Sequence, residues 1–209
     1  MDAVIFDCDG VIVDSEPIAW DAWAALIVRH TGGEPDAADG PALVGIDLRA
    51  SAEYLVDRYR LPSVDKVIDE YQTELLDRYE TELEAFDDVV RTVRELAAQG
   101  IPLGVASSSE RAELDLKLGR FDLVRYFDAV VGGDEVAATK PAPDVYLRTA
   151  ELMRVPPSAC LVIEDSVVGA QSAQAAGMRV VVIARDGVGP SGYPSINDVD
   201  AALILEWLG

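Results

Sequence analysis

Asp7 and Asp9 stand two residues apart at the end of a short apolar run, residues 3–6, and Gly10 follows them. Side chains two apart on an extended chain point to the same side, so the two carboxylates converge where a buried strand ends. Like charges that close repel, and the pair calls for a divalent cation, a shared proton, or both. Three further stretches carry comparable chemistry. Ser107, Ser108 and Ser109 follow the apolar residues 102–106 and precede a predicted helix. Lys140 stands in Thr139-Lys140-Pro141-Ala142-Pro143-Asp144, and Glu164, Asp165 and Ser166 follow the apolar residues 160–163. Up to four acids select a hard cation such as Mg2+, which is bound by one or two carboxylates plus phosphate oxygens. A serine hydroxyl, helix N-terminal amides and a lysine ammonium suit a phosphoryl group. Phosphoryl transfer through an aspartyl-phosphate is the reaction that uses all of these parts.

Each part alone has a plainer reading. An Asp or Ser after a strand often caps a helix or makes a turn, and a lone lysine sits on the surface by default. Their succession, in order, at four strand ends is what the plain readings leave unexplained. No GxGxxG follows a strand, and no GxxxxGK[ST] phosphate loop is present. The one histidine, His30, falls at the end of a helical stretch and reads as structural, which removes Ser-His-Asp and Cys-His schemes. Cys8, between the aspartates, points away from them and reads as a packed thiol. With Cys160 it makes only two cysteines in 209 residues, which is no disulfide framework.

The elements that must position these residues are strands at 4–6, 102–106, 129–131, 161–163 and 180–183, with helical periodicity at 89–99, 111–119, 144–154 and 167–176. Gly100 and Gly177 stand where helix C-caps belong. Continuous apolar strands alternating with amphipathic helices predict parallel strands covered on both faces, an α/β, doubly wound, Rossmann-like core. In such sheets ligands bind beyond the carboxyl ends of the strands, where the polar clusters fall. Residues 15–85 break the alternation, with helical patterns at 18–30, 50–59 and 64–79, a loop over 32–40 and no convincing strand. The predicted division is a core of residues 1–14 and 86–209 with an inserted all-helical cap over 15–85. Residues 186–198 read as loop before a last apolar stretch, 201–208.

Half of the residues are hydrophobic, ample for a sizeable core, and the formal net charge of −21 argues against nucleic acid or an anionic membrane as partner. Neither a signal-like leader nor an 18-residue apolar span is seen, so a cytoplasmic protein is expected, as a monomer or weak homodimer.

The chain resembles the haloacid dehalogenase-like hydrolase superfamily, in the branch that holds phosphoglycolate phosphatase and β-phosphoglucomutase. The resemblance is carried by Asp7-Cys8-Asp9-Gly10-Val11 with Val13-Asp14-Ser15-Glu16-Pro17, and by Ala106-Ser107-Ser108-Ser109. It continues in Lys140-Pro141-Ala142-Pro143-Asp144, in Val162-Ile163-Glu164-Asp165-Ser166, and in Gly169 and Ala175-Ala176-Gly177-Met178. It implies that Asp7 is the nucleophile on phosphorus, and that Asp9 is the general acid toward the leaving alkoxide and then the base toward water. It implies Mg2+ held by the Asp7 carboxylate, the Asp9 backbone carbonyl and Asp165, with Glu164 nearby or acting through water. Ser107, with Ser108 beside it, would bind the phosphoryl group, and Lys140 would offset charge between that group and Asp7.

The helical insert then corresponds to a cap that closes over the core and chooses the substrate. Leu43-Val44-Gly45 resembles the loop that reaches the substrate, with Arg49 as its anchor. Arg49 stands four residues after Gly45, where the mutase pattern has an arginine three after it. Phe86-Asp87-Asp88 replaces the usual Pro-Gly, and Ala19 stands where mutases carry a hinge histidine. The missing histidine and the arginine spacing favour hydrolysis over a phosphosugar mutase. Asp9 with Gly10-Val11 argues against dehalogenation, in which attack at carbon needs no acid for an alkoxide. A non-catalytic binding module on the same fold is the third alternative; a lost nucleophile, lysine or metal ligand would signal it, and none is missing. The expected partner is a small phosphorylated metabolite, a sugar phosphate or a phosphoglycolate-like compound, with neither nucleic acid nor membrane.

Overall fold

A computed structural model of the chain describes residues 2–43, 46, 48–185, 187 and 189–208. In chain order it runs β1 (Ala3–Phe6), β2 (Val13–Asp14), α1 (Glu16–Thr31), α2 (Asp39–Leu43), α3 (Leu48–Tyr59), α4 (Val64–Thr81) and β3 (Glu84–Ala85). There follow α5 (Asp87–Ala98), β4 (Leu103–Ala106), α6 (Arg111–Arg120), β5 (Ala129–Val131), α7 (Asp144–Met153) and β6 (Cys160–Glu164). The chain closes with α8 (Val167–Ala175), β7 (Arg179–Ile183), β8 (Ser195–Ile196) and α9 (Ala201–Leu208). Two compact units emerge, Met1–Asp14 with Glu84–Gly209, and Ser15–Leu83.

In the first unit, six parallel strands lie in the order β5-β4-β1-β6-β7-β8. The chain winds outward from β1 to β4 and β5, then returns to β6, β7 and β8 on the other side. This doubly wound order opens a crevice at the carboxyl end of β1. The continuous apolar runs are explained by burial on two faces. Ala3, Ile5, Cys160, Val162, Val180 and Val182 join Val145, Tyr146 and Ala150 of α7 and Ala170 and Ala173 of α8 in one cluster. The alternate residues Val4, Phe6, Leu161, Ile163 and Val181 are as deeply buried on the opposite face.

Three short elements differ from the expectations. Glu84–Ala85, within the stretch read as helical, pairs antiparallel with Val13–Asp14; a two-residue ribbon is too short to leave a period. Ser195–Ile196, within the stretch read as loop, extends the sheet beside β7 through Val182 N–H to Pro194 O at 2.9 Å and Ala184 N–H to Ile196 O at 2.8 Å. Gly40, placed in a loop by composition, lies inside α2.

In the second unit, α1 and α4 pack through stacked Trp23 and Tyr71 rings, with centroids 3.9 Å apart. His30 Nε2 lies 2.7 Å from Glu70 Oε2 across the same pair of helices, a structural contact. Helix α2, poor in propensity with Gly40 and Pro41, is held by its buried first residue. Asp39 accepts hydrogen bonds from the Tyr54 hydroxyl at 2.8 Å, Arg58 Nε at 2.8 Å and the Tyr59 hydroxyl. Burial works against the charged carboxylate, but these donors hold Asp39 below the usual carboxylate range.

Candidate functional site

Strand register assembles the site. Phe6 pairs with Val105 on one side and Ile163 on the other, and Asp7 N–H donates to Ile163 O at 2.9 Å. The residues that follow each strand, Asp7, Ser107 and Asp165 among them, therefore emerge at one edge. Beyond Asp7 the chain folds back at once, with Ile12 and Val13 N–H both donating to Cys8 O. That turn requires Gly10, whose φ is +71° and whose Cβ, if added, would stand 1.8 Å from Asp165 Oδ2. The glycine lets β1 and β6 bring their acids together.

Asp7 and Glu164 share one buried cation. Lys140 Nζ lies 2.8 Å from Asp7 Oδ1 and 2.7 Å from Glu164 Oε1. Glu164 is completely buried, and its oxygens also accept from the Tyr146 hydroxyl at 3.0 Å, Asp165 N–H at 2.9 Å, Ser166 N–H at 2.8 Å and Ser166 Oγ at 2.9 Å. Gly169 makes room for it, because a Cβ there would fall 1.5 Å from Glu164 Oε1. With so many bonds already made, Glu164 orients Lys140 and the loop that carries Asp165.

Asp9 turns to a different cation. Lys117 Nζ, from α6, lies 2.5 Å from Asp9 Oδ1, and Ser109 Oγ donates to Asp9 Oδ2 at 2.9 Å. Of the three serines, the structure thus brings Ser109 onto an acid. Ser107 is buried and its Oγ accepts from Ser109 N–H at 3.1 Å, whereas Ser108 is exposed. The N-terminus of α6, which the pattern offered to an anion, already has one, since Arg111 N–H donates to Asp134 Oδ1 at 2.8 Å. Lys117 and Ser109 are residues that sequence reasoning missed. The available signal was Lys117 in the apolar stripe of Leu114 and Leu118, in a chain whose only other lysines are Lys66 and Lys140. Arg49 lies in the first turn of α3 with its side chain largely exposed, 2.6 Å from Asp65, and Gly45 lies outside the described residues.

The electrostatics fit a divalent cation. One oxygen from each of Asp7, Glu164 and Asp165 lies within 4.8 Å of the others. Burial pushes Asp7 up to about 7, with Glu164 and Asp9 adding to the rise against the pull of Lys140. Burial, then Asp7 and Glu164, push Asp165 up to about 8. Burial opposes the charge of Glu164 as well, but Lys140 and Ser166 hold it below its usual range. Two hard carboxylate donors that resist ionising together are a set that a divalent metal satisfies.

A pH dependence follows. Asp7 and Asp165 have folded values above their unfolded ones, near 3.9, so between pH 4 and 8 the folded state holds more protons. Metal-free protein in EDTA is therefore expected to lose stability as pH rises from 5 to 8, by about 1.4 kcal/mol per pH unit for each proton released. Carboxylates held low, such as Glu164, Asp39 and Asp88, act with the opposite sign but below that window. Saturating Mg2+ is expected to flatten the slope in thermal melts; the same slope with and without Mg2+ would separate the two acids from the metal.

Comparison with known proteins gives a consistent picture. Residues 4–183 match the family model described as Haloacid dehalogenase-like hydrolase. A bifunctional riboflavin kinase/FMN phosphatase from Arabidopsis thaliana is 29% identical over 86% of the chain, which spans about half (48%) of that relative's length. The chain is 35% identical to fructose-1-phosphate phosphatase YqaB of Escherichia coli (strain K12), over 85% of this chain and 94% of that one. A solved structure from Thermotoga maritima, provisionally assigned as a beta-phosphoglucomutase, superposes with a TM-score of 0.89 at 26% identity over 100% of both chains. Among the described residues, no helix is long and apolar enough to cross a membrane.

Proposed function

We propose, because the chain belongs to the haloacid dehalogenase-like hydrolases, that it is a Mg2+-dependent phosphomonoesterase acting on a small phosphorylated metabolite through an aspartyl-phosphate on Asp7. The observation that carries this reading is the separation of two neighbouring aspartates onto two buried lysines, Asp7 on Lys140 and Asp9 on Lys117. Chemically alike groups are thereby given different surroundings, as nucleophile and proton carrier need. The names of relatives add support, among them a phosphorylated carbohydrates phosphatase from Thermotoga maritima and hexitol phosphatase B from Escherichia coli.

In the first step an Asp7 carboxylate oxygen attacks phosphorus and the ester P–O bond breaks. The electron pair leaves on the alkoxide, which takes a proton from Asp9. In the second, Asp9 takes a proton from water, whose oxygen attacks phosphorus and breaks the bond to Asp7, releasing inorganic phosphate and restoring the carboxylate. Lys140 holds Asp7 in place and offsets charge on the phosphoryl oxygens, and Glu164 holds Lys140. Ser107 and Ser108 offer donors to the phosphoryl group. The Asp7 and Asp165 carboxylates with the Asp9 backbone carbonyl would hold Mg2+, Glu164 supporting them from behind. Bound there, the ion supplies charge neutralisation for the phosphoryl oxygens. We assign substrate choice to the helical insert, with Gly45 and Arg49 as its contacts.

Phosphate release from a panel of sugar phosphates, polyol phosphates and phosphoglycolate tests the reading. Turnover with Mg2+ and none in EDTA is expected, and silence across the panel would refute it. The mutase alternative predicts that β-glucose 1-phosphate with a bisphosphate primer gives glucose 6-phosphate faster than free phosphate.

A further inference from the structure

We infer that Lys117 is a positioning residue for proton transfer, fixing the Asp9 carboxylate from helix α6 so that it faces the leaving oxygen. The inference rests on the reading of Asp9 as acid and base. Its basis is a built cluster rather than a single contact. The Lys117 side chain is 1% exposed, and its ammonium meets three acceptors: Asp9 Oδ1 at 2.5 Å, Glu113 Oε1 at 2.5 Å and Ser109 Oγ at 3.3 Å. An ammonium has three N–H groups, so each has a partner. Ser109 Oγ in turn lies 2.9 Å from Asp9 Oδ2 and 3.2 Å from Glu113 Oε1.

Both oxygens of Asp9 are thus held, from two points on the segment that follows β4. A buried lysine on a helix face otherwise made of Leu114 and Leu118 loses hydration that a leucine would not. Packing alone does not call for it. Glu113, one turn back on α6, anchors the ammonium from its other side, so the Lys117 stem is pinned at both ends of its charge. Among the described residues the cation beside Asp7 is a different one, Lys140. The two halves of the reaction are served by separate supports, one on each side of β1.

The diagnostic is the leaving group. Proton donation matters for an alkyl alkoxide and hardly at all for p-nitrophenolate, and kcat/KM reports the steps up to release of the alcohol. Lys117→Met keeps the stem and removes the charge. With Mg2+ present, it is expected to lower kcat/KM about 100-fold for the alkyl ester turned over fastest in the panel, and less than about 5-fold for p-nitrophenyl phosphate. Ser109→Ala, a milder change, is expected to show the same asymmetry at smaller size, and it decides the matter if Lys117→Met does not fold. Mg2+ affinity by calorimetry should stay within about twofold of wild type.

Equal losses on both esters, no loss on either, a gain on the alkyl ester or a fall in Mg2+ affinity would each overturn the assignment while leaving the phosphatase reading intact. Failure of wild type to turn over either ester would remove both.

Discussion

Asp7→Asn is expected to abolish the proposed phosphate release, with kcat lower by at least about 10⁴-fold, the scale on which loss of a covalent nucleophile is felt. An amide oxygen cannot carry the phosphoryl group, and the neighbouring carboxylates have other duties, Asp165 among them in the set that would hold the metal. Glu164 is committed to Lys140, Tyr146 and Ser166, while Asp9 is tied to Lys117 and Ser109. The fold is expected to keep its stability. The asparagine oxygen still accepts from Lys140, and the change removes a carboxylate that burial has pushed up to about 7. In EDTA at pH 8 the variant should therefore melt no lower than wild type. Residual activity above about a thousandth of wild type would refute the nucleophile assignment, since loss of one preorganised charge costs only about 10²- to 10³-fold.

Lys140→Met is expected to lower activity and stability together. Lys140 is the cation shared by Asp7 and Glu164, with its ammonium 4.9 Å from the centre of the Tyr146 ring. Burial works against its charge, yet Asp7, Tyr146 and Glu164 hold its pKa well above the usual range. Taking it away leaves buried carboxylates without their counter-charge, which costs about 3–5 kcal/mol. Turnover is expected to fall about 10²- to 10³-fold, as for loss of one preorganised charge on a reacting group. The stability deficit is expected to shrink as pH falls from 8 to 5, because the orphaned acids take up protons more readily in the folded than in the unfolded state. A deficit independent of pH would mean that methionine failed for reasons of packing instead.

How far the site could be read from the chain depended on whether a residue's place follows from its own element. Asp7 and Asp9 were legible because β1 ends there and a strand's period is two. Lys140, Glu164 and Asp165 were legible because they follow β5 or stand at the end of β6 in a sheet whose type the apolar runs announced. Lys117 was hidden, since a lysine four residues after a glutamate on a helix reads as an exposed ion pair. Only the pairing of β4 beside β1, with α6 following β4, puts Asp9 within its reach. The three serines are equivalent in sequence, and only the folded loop, with Ser109 N–H on Ser107 Oγ and Ser109 Oγ on Asp9, tells them apart. Strand β8 and helix α2 were invisible for a related reason, since neither has a local preference strong enough to declare itself. One exists by pairing with β7, the other through the donors around Asp39.

The short β2–β3 ribbon has a consequence for how such a chain can change over time. Asp14 and Glu84 face each other across it, about 5 Å apart at their Cα atoms as antiparallel partners are. The chain therefore departs for the helical insert and comes back at almost the same point. Any segment with ends that close, from a tight turn upward, closes the same gap. Asp7, Asp9, Ser109, Lys117, Lys140, Glu164 and Asp165 all lie outside Ser15–Leu83. A segment grafted between Asp14 and Glu84 would therefore replace the insert while leaving every residue of the proposed reaction centre in the chain.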